Sequence, residues 1–305
     1  MTIQTKKKID TALYVFLMFM GAVSILVTFG IVWVLVTDAA RFFLHPEGGG
    51  FPKSLIRFFT ETSWTPTFET KQIGIWPLLN GTLMIAGISM LVSIPLGLLV
   101  AIYLSEYASW KVRESIKPMI DFLEAVPTVV YGYFALLAIT PILEYIFLKF
   151  DIEVQGMNAL APGLVLGIMI LPFTASMVED AFKGVPQYLR EASYAMGASK
   201  LRTTLFVVLP AAKSGVLSAY LLGFSRALGE TMVVAVAAGM YPQLTLNPLE
   251  PVQTITGYIV QVALGDLPYG SFEYLSIFAA GILLFAVTLI LNSISVYFKS
   301  KATGY

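Results

Sequence analysis

Arg226 and Glu230 are the only charged residues in the run 214–240, and they stand four positions apart. A charge inside an apolar run long enough to cross a bilayer is costly. It normally faces a bundle interior or an aqueous path. On a continuous helix this spacing puts both side chains on one face, with Thr231 following directly. Arginine grips a tetrahedral oxyanion through two parallel hydrogen bonds. Glu230 would neutralise an empty Arg226. It could also accept a proton from an oxyanion that carries one, as phosphate does and sulfate at neutral pH does not. The competing reading is an ion pair that only locks helices together. Small residues recur every fourth position, at Gly215, Ala219, Gly223, Ala227, Thr231, Ala235 and Gly239. That ridge permits close helix crossing and would leave the charged side uncluttered. Asn80, Thr128 and Tyr131 are further candidate pore-lining groups, for which helix packing is the simpler reading. Pro95, Pro127, Pro141, Pro162 and Pro172 interrupt other apolar runs. Such breaks persist where neighbours or water satisfy the freed carbonyls.

A second cluster, Glu191-Ala192-Ser193-Tyr194-Ala195-Met196-Gly197 followed by Leu209-Pro210, lies in the polar stretch 179–213. Pro186 suits a first helical position, where its missing N–H costs nothing. Leu189, Ala192, Ser193 and Met196 recur along one face. Gly197 suits a left-handed helix end. Ser199 is a plausible N-cap for a second helix with Leu201, Leu205 and Val208 on its apolar side. The expected unit is helix, glycine turn, helix. The small residues Ala192, Ser193 and Ala195 would let a partner approach closely, with Glu191 supplying one charge to position it. A plain connector along the membrane surface is the alternative.

The elements that hold these residues are helices in a membrane. The chain has 305 residues, 57% hydrophobic and 12% charged, about half the charge of a soluble domain. Apolar runs of about 20 residues or more suffice to span a bilayer. The first follows Lys6-Lys7-Lys8, between Asp10 and Asp38, and is too long for a signal peptide. The next are 77–104, 125–147, 158–178, 214–240 and 272–298. This predicts an all-α membrane protein with six transmembrane helices. Of the 19 Lys and Arg, thirteen then fall on the side of the N-terminus, five on the other, and Arg226 within a span. The positive-inside rule makes both termini and the loop 179–213 cytoplasmic. Trp33, Trp76 and Trp110 sit near span ends, as an aromatic belt requires. Residues 1–37 thus form an N-terminal segment and first span, 38–76 a periplasmic loop with a short amphipathic helix at 54–60, 77–298 a transmembrane core and 299–305 a cytoplasmic tail. Residues 241–271, free of Lys and Arg, read as the last outer loop.

Several chemistries are excluded. There is no cysteine and one histidine, His45. Disulfides, thiolate catalysis and a Cys/His metal centre are therefore out, and few general bases remain for a membrane enzyme. Zero net charge argues against nucleic acid. No phosphate-cradling G-x-x-x-x-G-K-[ST] loop occurs, because Pro52 of Gly50-Phe51-Pro52-Lys53-Ser54 replaces the second glycine. No cofactor is expected, and any ATP would be hydrolysed on another subunit.

The spacing of Glu191, Ala192, Ser193, Gly197, Val207, Leu209 and Pro210 resembles the EAA loop of ABC importer permeases, with Ser193 in place of the second alanine. Arg226-Ala227-Leu228-Gly229-Glu230-Thr231-Met232, Ala125–Gly132, Asn80-Gly81-Thr82-Leu83 and Thr62–Pro66 resemble PstC-type permeases of bacterial phosphate importers. The resemblance covers most of residues 11–298. It implies a type I ABC importer permease fold, an inner-membrane location and a PstA-type partner permease. It also implies two PstB-type ATPases on the EAA loops and a periplasmic phosphate-binding protein. ATP binding would rock the loops and switch the cavity between faces. A permease for sulfate or molybdate is the nearest rival. An ion-coupled secondary transporter is a more distant one, because it would leave the loop without a purpose.

Overall fold

The computed structural model describes residues 3–302, so the ends of the expected tail and N-terminal segment lie outside the described residues. Helices dominate, and five are long and apolar enough to cross a membrane. They are α1 (Ile3–Leu44), α3 (Trp76–Ile102) with a π-helical turn at Tyr103–Tyr107, the run α5 (Thr128–Phe134) through a π-turn into α6 (Thr140–Leu148), α7 (Leu160–Lys183) and α14 (Phe272–Ala302). Between α1 and α3 lies α2 (Lys53–Thr60), and before α5 lies α4 (Trp110–Ala125). These agree with the expected first four spans and the last.

The expected fifth span, 214–240, is not one helix. A helical stretch from Lys200 to Ala211 bends by 73° into α11 (Lys213–Leu228). The stretch comprises α9 (Lys200–Thr203), a π-turn and α10 (Leu209–Ala211), after the loop helix α8 (Gln187–Ala195). Helix α11 then stops, and Gly229-Glu230-Thr231 leaves the helix before the short α12 (Met232–Ala237). Glycine is a poor helix former. The Glu230 carboxylate meets the first N–H groups of α12, taking the place of the missing carbonyls: Oε1 accepts from Met232 N at 3.1 Å and Val233 N at 3.4 Å.

Residues 241–271 are not simply an outer loop either. They carry a buried helix, α13 (Ile255–Ala263), with Ile255, Tyr258 and Val262 in the core. Backbone donors in this segment are satisfied across the bundle. Val252 N donates to the Ala238 carbonyl, and Ile255 N to Thr82 Oγ1 at 3.0 Å. The absence of Lys and Arg, read as a loop trait, is what permits this burial.

The centre of the bundle is α3 against α7. Their backbones approach so closely that a Cβ on Gly167 would lie 2.7 Å from the Ser89 carbonyl. Ser93 and Thr174 hydrogen-bond across this contact at 2.8 Å, worth about 0.6 kcal/mol in lipid. Helix α11 lies along α7 and α14. At the end of the bundle near residues 45–75, here the cap end, α2 inserts Phe58 beside Phe42, Trp64 and Phe272. This is the expected amphipathic helix, begun one residue earlier. Lys71 bridges Glu47 and Glu273 there. Burial opposes its charge, but the two carboxylates outweigh burial and raise its pKa. His45 is an ordinary loop residue whose Nδ1 accepts from Glu47 N.

Candidate functional site

The expected Arg226–Glu230 pair does not form. With α11 ended at Leu228, the i,i+4 geometry no longer applies, and Glu230 turns to α12 as described above. Arg226 instead donates from Nη1 to Glu124 Oε1 at 2.5 Å. Its guanidinium also stacks over the Phe173 ring, 5.1 Å from the centroid. Phe173 lies near the middle of α7, so this pair sits about halfway along the bundle. The two side chains remain 35% and 41% exposed, so the contact faces open space.

Sequence reasoning missed Glu124, because it stood one residue before the span assigned to 125–147. In the structure α4 is a 16-residue helix whose last turn brings Glu124 to Arg226. The signal was a carboxylate three residues before Pro127, a residue that disfavours helix in the position ahead of it. Tyr131 is not a pore group on this geometry. It is buried, and its hydroxyl donates to the Leu123 carbonyl at 2.6 Å. It thereby fixes the last turn of α4 and the position of Glu124. Asn80 is also used structurally, since its Oδ1 accepts from Thr245 N at 3.3 Å. Thr128 begins α5, half-buried. Thr231 sits in the break beside Glu230, with its hydroxyl donating to the Gly229 carbonyl.

The small-residue ridge of α11 is not left open. A Cβ on Gly215 would meet Ala181 at 2.7 Å, and one on Gly223 would meet Thr174 at 2.7 Å. The ridge therefore seats α7, and Arg226 lies off to one side of it, partly exposed.

The loop 184–212 has the expected helix–glycine–helix form. Gly197 adopts φ +81°, and Ser199 Oγ accepts from Arg202 N at 3.4 Å. Pro186 is the residue before the helix rather than its first member. Glu191, Ala192 and Gly197 are exposed, and Met196 is 88% exposed, whereas Leu189 and Ser193 of the same expected face are half-buried. Leu201 and Leu205 are exposed as well; only Val208 of that expected face is buried, because the short helix rests on the bundle by its Thr203–Val208 side. Ser193 is not merely small. Its Oγ bonds the buried Thr203 Oγ1 at 2.9 Å and staples α8 to α9. Leu209 is half-buried in the cluster around Phe182 and Val208, and Pro210 is exposed.

Helix α8 has no buried residue, so its attachment depends on side chains. Arg190 provides most of it. It reaches Glu106 on the π-turn after α3 at 2.8 Å and the Phe182 and Val185 carbonyls at the end of α7 at 2.9 and 2.8 Å. Next to it a polar cleft of ≈560 Å³ is lined by Glu106, Arg113, Lys183, Pro186, Arg190 and Lys200. Deeper still, Glu179 is fully buried, with Lys183 at 2.7 Å and Arg113 and Lys117 at 3.6 Å. The Lys183 contact is close but poorly aligned, so charge rather than a directed hydrogen bond holds Glu179. These contacts tie the polar loop, α3, α4 and α7 into one unit at this end of the bundle.

A polar loop fastened to a multi-pass bundle, with a charge pair at mid-depth, is the plan of a transporter subunit. The sequence profile of the binding-protein-dependent transport system inner membrane component family matches residues 93–304. The chain belongs to that family. It is 32% identical over 248 residues to a probable ABC transporter permease protein YqgH of Bacillus subtilis, covering 81% of this chain and 79% of that protein. It is 33% identical over 253 residues to the phosphate transport system permease protein PstC of Xylella fastidiosa (strain Temecula1), covering 77% and 78%. Among solved structures it resembles a bacterial alginate ABC transporter in complex with a periplasmic protein bound to alginate pentasaccharide. The TM-score there is 0.63 at 16% identity, over 99% of this chain and 98% of that one. It also resembles the inward-facing MetNI methionine ABC transporter, with TM-score 0.53 at 20% identity over 75% and 94%. At such identities these two show the fold alone. The chain is thus a multi-pass type I ABC importer permease, and proteins of this kind are transport components rather than enzymes.

Proposed function

We propose that this chain is a permease subunit of an ATP-driven importer of inorganic phosphate in a bacterial inner membrane. The observation that carries the reading is Arg226, placed halfway along the bundle at a helix break and facing open space. The PstC names of several relatives at about 30% identity point to phosphate as its anion. Arg226 is the group that grips the anion, and Thr231 lines the path beside it. The loop 179–213, with Glu191, Ala192, Gly197 and Pro210 at its surface and Leu209 half-buried beneath them, is the docking element for an ATPase. Two PstB-type ATPases, a PstA-type permease and a periplasmic phosphate-binding protein complete the assembly. The Lys and Arg bias supports a cytoplasmic side for this loop and both termini and a periplasmic side for residues 38–76.

The test is ATP-dependent uptake of radiolabelled phosphate into proteoliposomes holding all four kinds of subunit. Arg226→Ala should assemble normally and lose uptake. Glu124, half-exposed, can stay hydrated once its partner is gone, so folding should survive. Uptake by Arg226→Ala at near the wild-type rate would refute the role given to Arg226.

A further inference from the structure

We propose that Glu124 is a positioning residue that aims the hydrogen-bonding fork of Arg226. The inference rests on reading Arg226 as the anion's grip. Three observations lead to it.

First, the guanidinium is held on one side. Nη1 is the only one of its three nitrogens with a hydrogen-bond partner among the described residues, and that partner is Glu124 Oε1. A guanidinium is planar and trigonal, so the edge formed by Nε and Nη2 lies on the side away from Nη1. That edge presents two parallel N–H donors, the fork that suits two oxygens of a tetrahedral anion. Glu124 therefore holds the guanidinium without covering the fork and turns the fork away from itself. Second, the cation is bounded on one face. Arg226 Cζ lies over the Phe173 ring, 5.1 Å from its centroid. An arginine side chain otherwise sweeps through many rotamers. The ring limits it on one side, and the Nη1 bond sets which edge faces outward. Third, both holders are anchored. Phe173 stands in α7 between the buried Pro172 and Thr174. Glu124 stands on the last turn of α4, where the Tyr131 hydroxyl donates to the neighbouring Leu123 carbonyl at 2.6 Å. Tyr131 belongs to α5, and α5 packs tightly on α12. A Cβ on Gly132 would lie 3.0 Å from Val236 Cβ and 3.2 Å from the Met232 carbonyl oxygen. Glu230 caps the start of α12 and takes no part in holding Arg226.

The consequence is pre-organisation. An anion that meets a free arginine must order the side chain as it binds. At an arginine already aimed, the protein has done that ordering beforehand. The carboxylate also has an opposite effect, because its negative charge weakens the attraction felt by an anion across the guanidinium. Orientation and charge thus pull in different directions, and substitutions at position 124 separate them.

The experiment measures equilibrium binding of radiolabelled phosphate to the complete permease–ATPase complex in lipid nanodiscs. The binding protein is left out, since it would hold phosphate itself. Two pairs are compared, each at constant charge. Glu124→Gln and Glu124→Ala both lack the charge, but only the first keeps an oxygen that can accept from Nη1. Glu124→Gln should bind phosphate at least as tightly as wild type, because the bond stays and the repulsion goes. Glu124→Ala should bind roughly five- to tenfold more weakly than Glu124→Gln, the range set by ordering one long side chain. Wild type and Glu124→Asp both keep the charge, but the side chain shortened by one methylene draws its oxygens back from Nη1. Glu124→Asp should bind more weakly than wild type by a similar factor, and it keeps a comparison in hand if Glu124→Ala does not assemble. A merely structural role would move all three variants alike. Binding by Glu124→Gln and Glu124→Ala within about twofold of each other would overturn the proposal. So would Glu124→Asp that binds as tightly as wild type. Arg226→Ala separates this inference from the reading beneath it, because phosphate binding that survives it removes the site itself. Loss of binding in Arg226→Ala, with equal binding by Glu124→Gln and Glu124→Ala, removes only the role of Glu124.

Discussion

Arg190→Ala should detach the loop helix from the bundle while leaving the bundle itself folded. In the native structure the Arg190 and Glu106 side chains are only 11% and 6% exposed. Truncation strands the Glu106 carboxylate in that setting and removes the donors to the Phe182 and Val185 carbonyls. Breaking a buried ion pair from one side costs about 3–5 kcal/mol. What remains to hold α8 is small: half-buried Leu189 and the Ser193–Thr203 bond, the latter worth about 1 kcal/mol. Taking the lower figure of about 3 kcal/mol, the opening equilibrium of the loop should shift by roughly a hundredfold, at 1.4 kcal/mol per tenfold. Hydrogen–deuterium exchange of the amides of residues 187–203 reads that equilibrium directly. Exchange there should accelerate by about two orders of magnitude, whereas α3 and α7 amides should change little. ATP-driven uptake should fall with it, since a loop free of α3 and α7 transmits no displacement to them. Glu106→Gln combined with Arg190→Ala should recover part of the protection, because the stranded charge is gone while the carbonyls stay unpaired. Exchange in Arg190→Ala within about twofold of wild type would show that α8 is held by something else.

Two further outcomes are expected. Gly197→Val should uncouple uptake without preventing membrane insertion: nothing lies within 4 Å of a Cβ there, but φ is +81°, which costs an L residue about 1–2 kcal/mol; unchanged uptake would make the loop a plain connector. Gly81→Ala should lower the melting temperature of the purified chain even though alanine is the better helix former by up to about 1 kcal/mol. A Cβ at 81 would stand 2.4 Å from the Gln253 carbonyl, and such overpacking costs about 1–3 kcal/mol. A melting temperature equal to or above wild type would contradict the burial of residues 241–254 against α3.

The apolar run lengths determined by themselves that this is a helical membrane protein, because a bilayer leaves few other ways to satisfy a backbone. The loop was equally legible. Gly197 and Ser199 act through local backbone geometry, which depends on near neighbours in the chain. Arg226 stood out as a candidate for the same kind of reason, since a lone arginine in an apolar run is costly wherever the rest of the chain lies. What the sequence could not settle was its partner. Glu230 was four residues away and Glu124 over a hundred, and sequence distance favoured the wrong one. The choice turned on whether the helix continued past Leu228. That was decided by competition between helical hydrogen bonds and two other contacts, a local one of the Glu230 side chain on the N–H groups of α12 and a tertiary one of the Thr256 hydroxyl on the Glu230 carbonyl. The buried helix α13 was hidden for a related reason. Nine residues are too few to register as a span, and only a pocket built by α3, α12 and α14 gives Ile255, Tyr258 and Val262 somewhere to go. Local pattern and solvent fixed the elements, whereas pairings between distant residues arose from packing that no window of the chain contains.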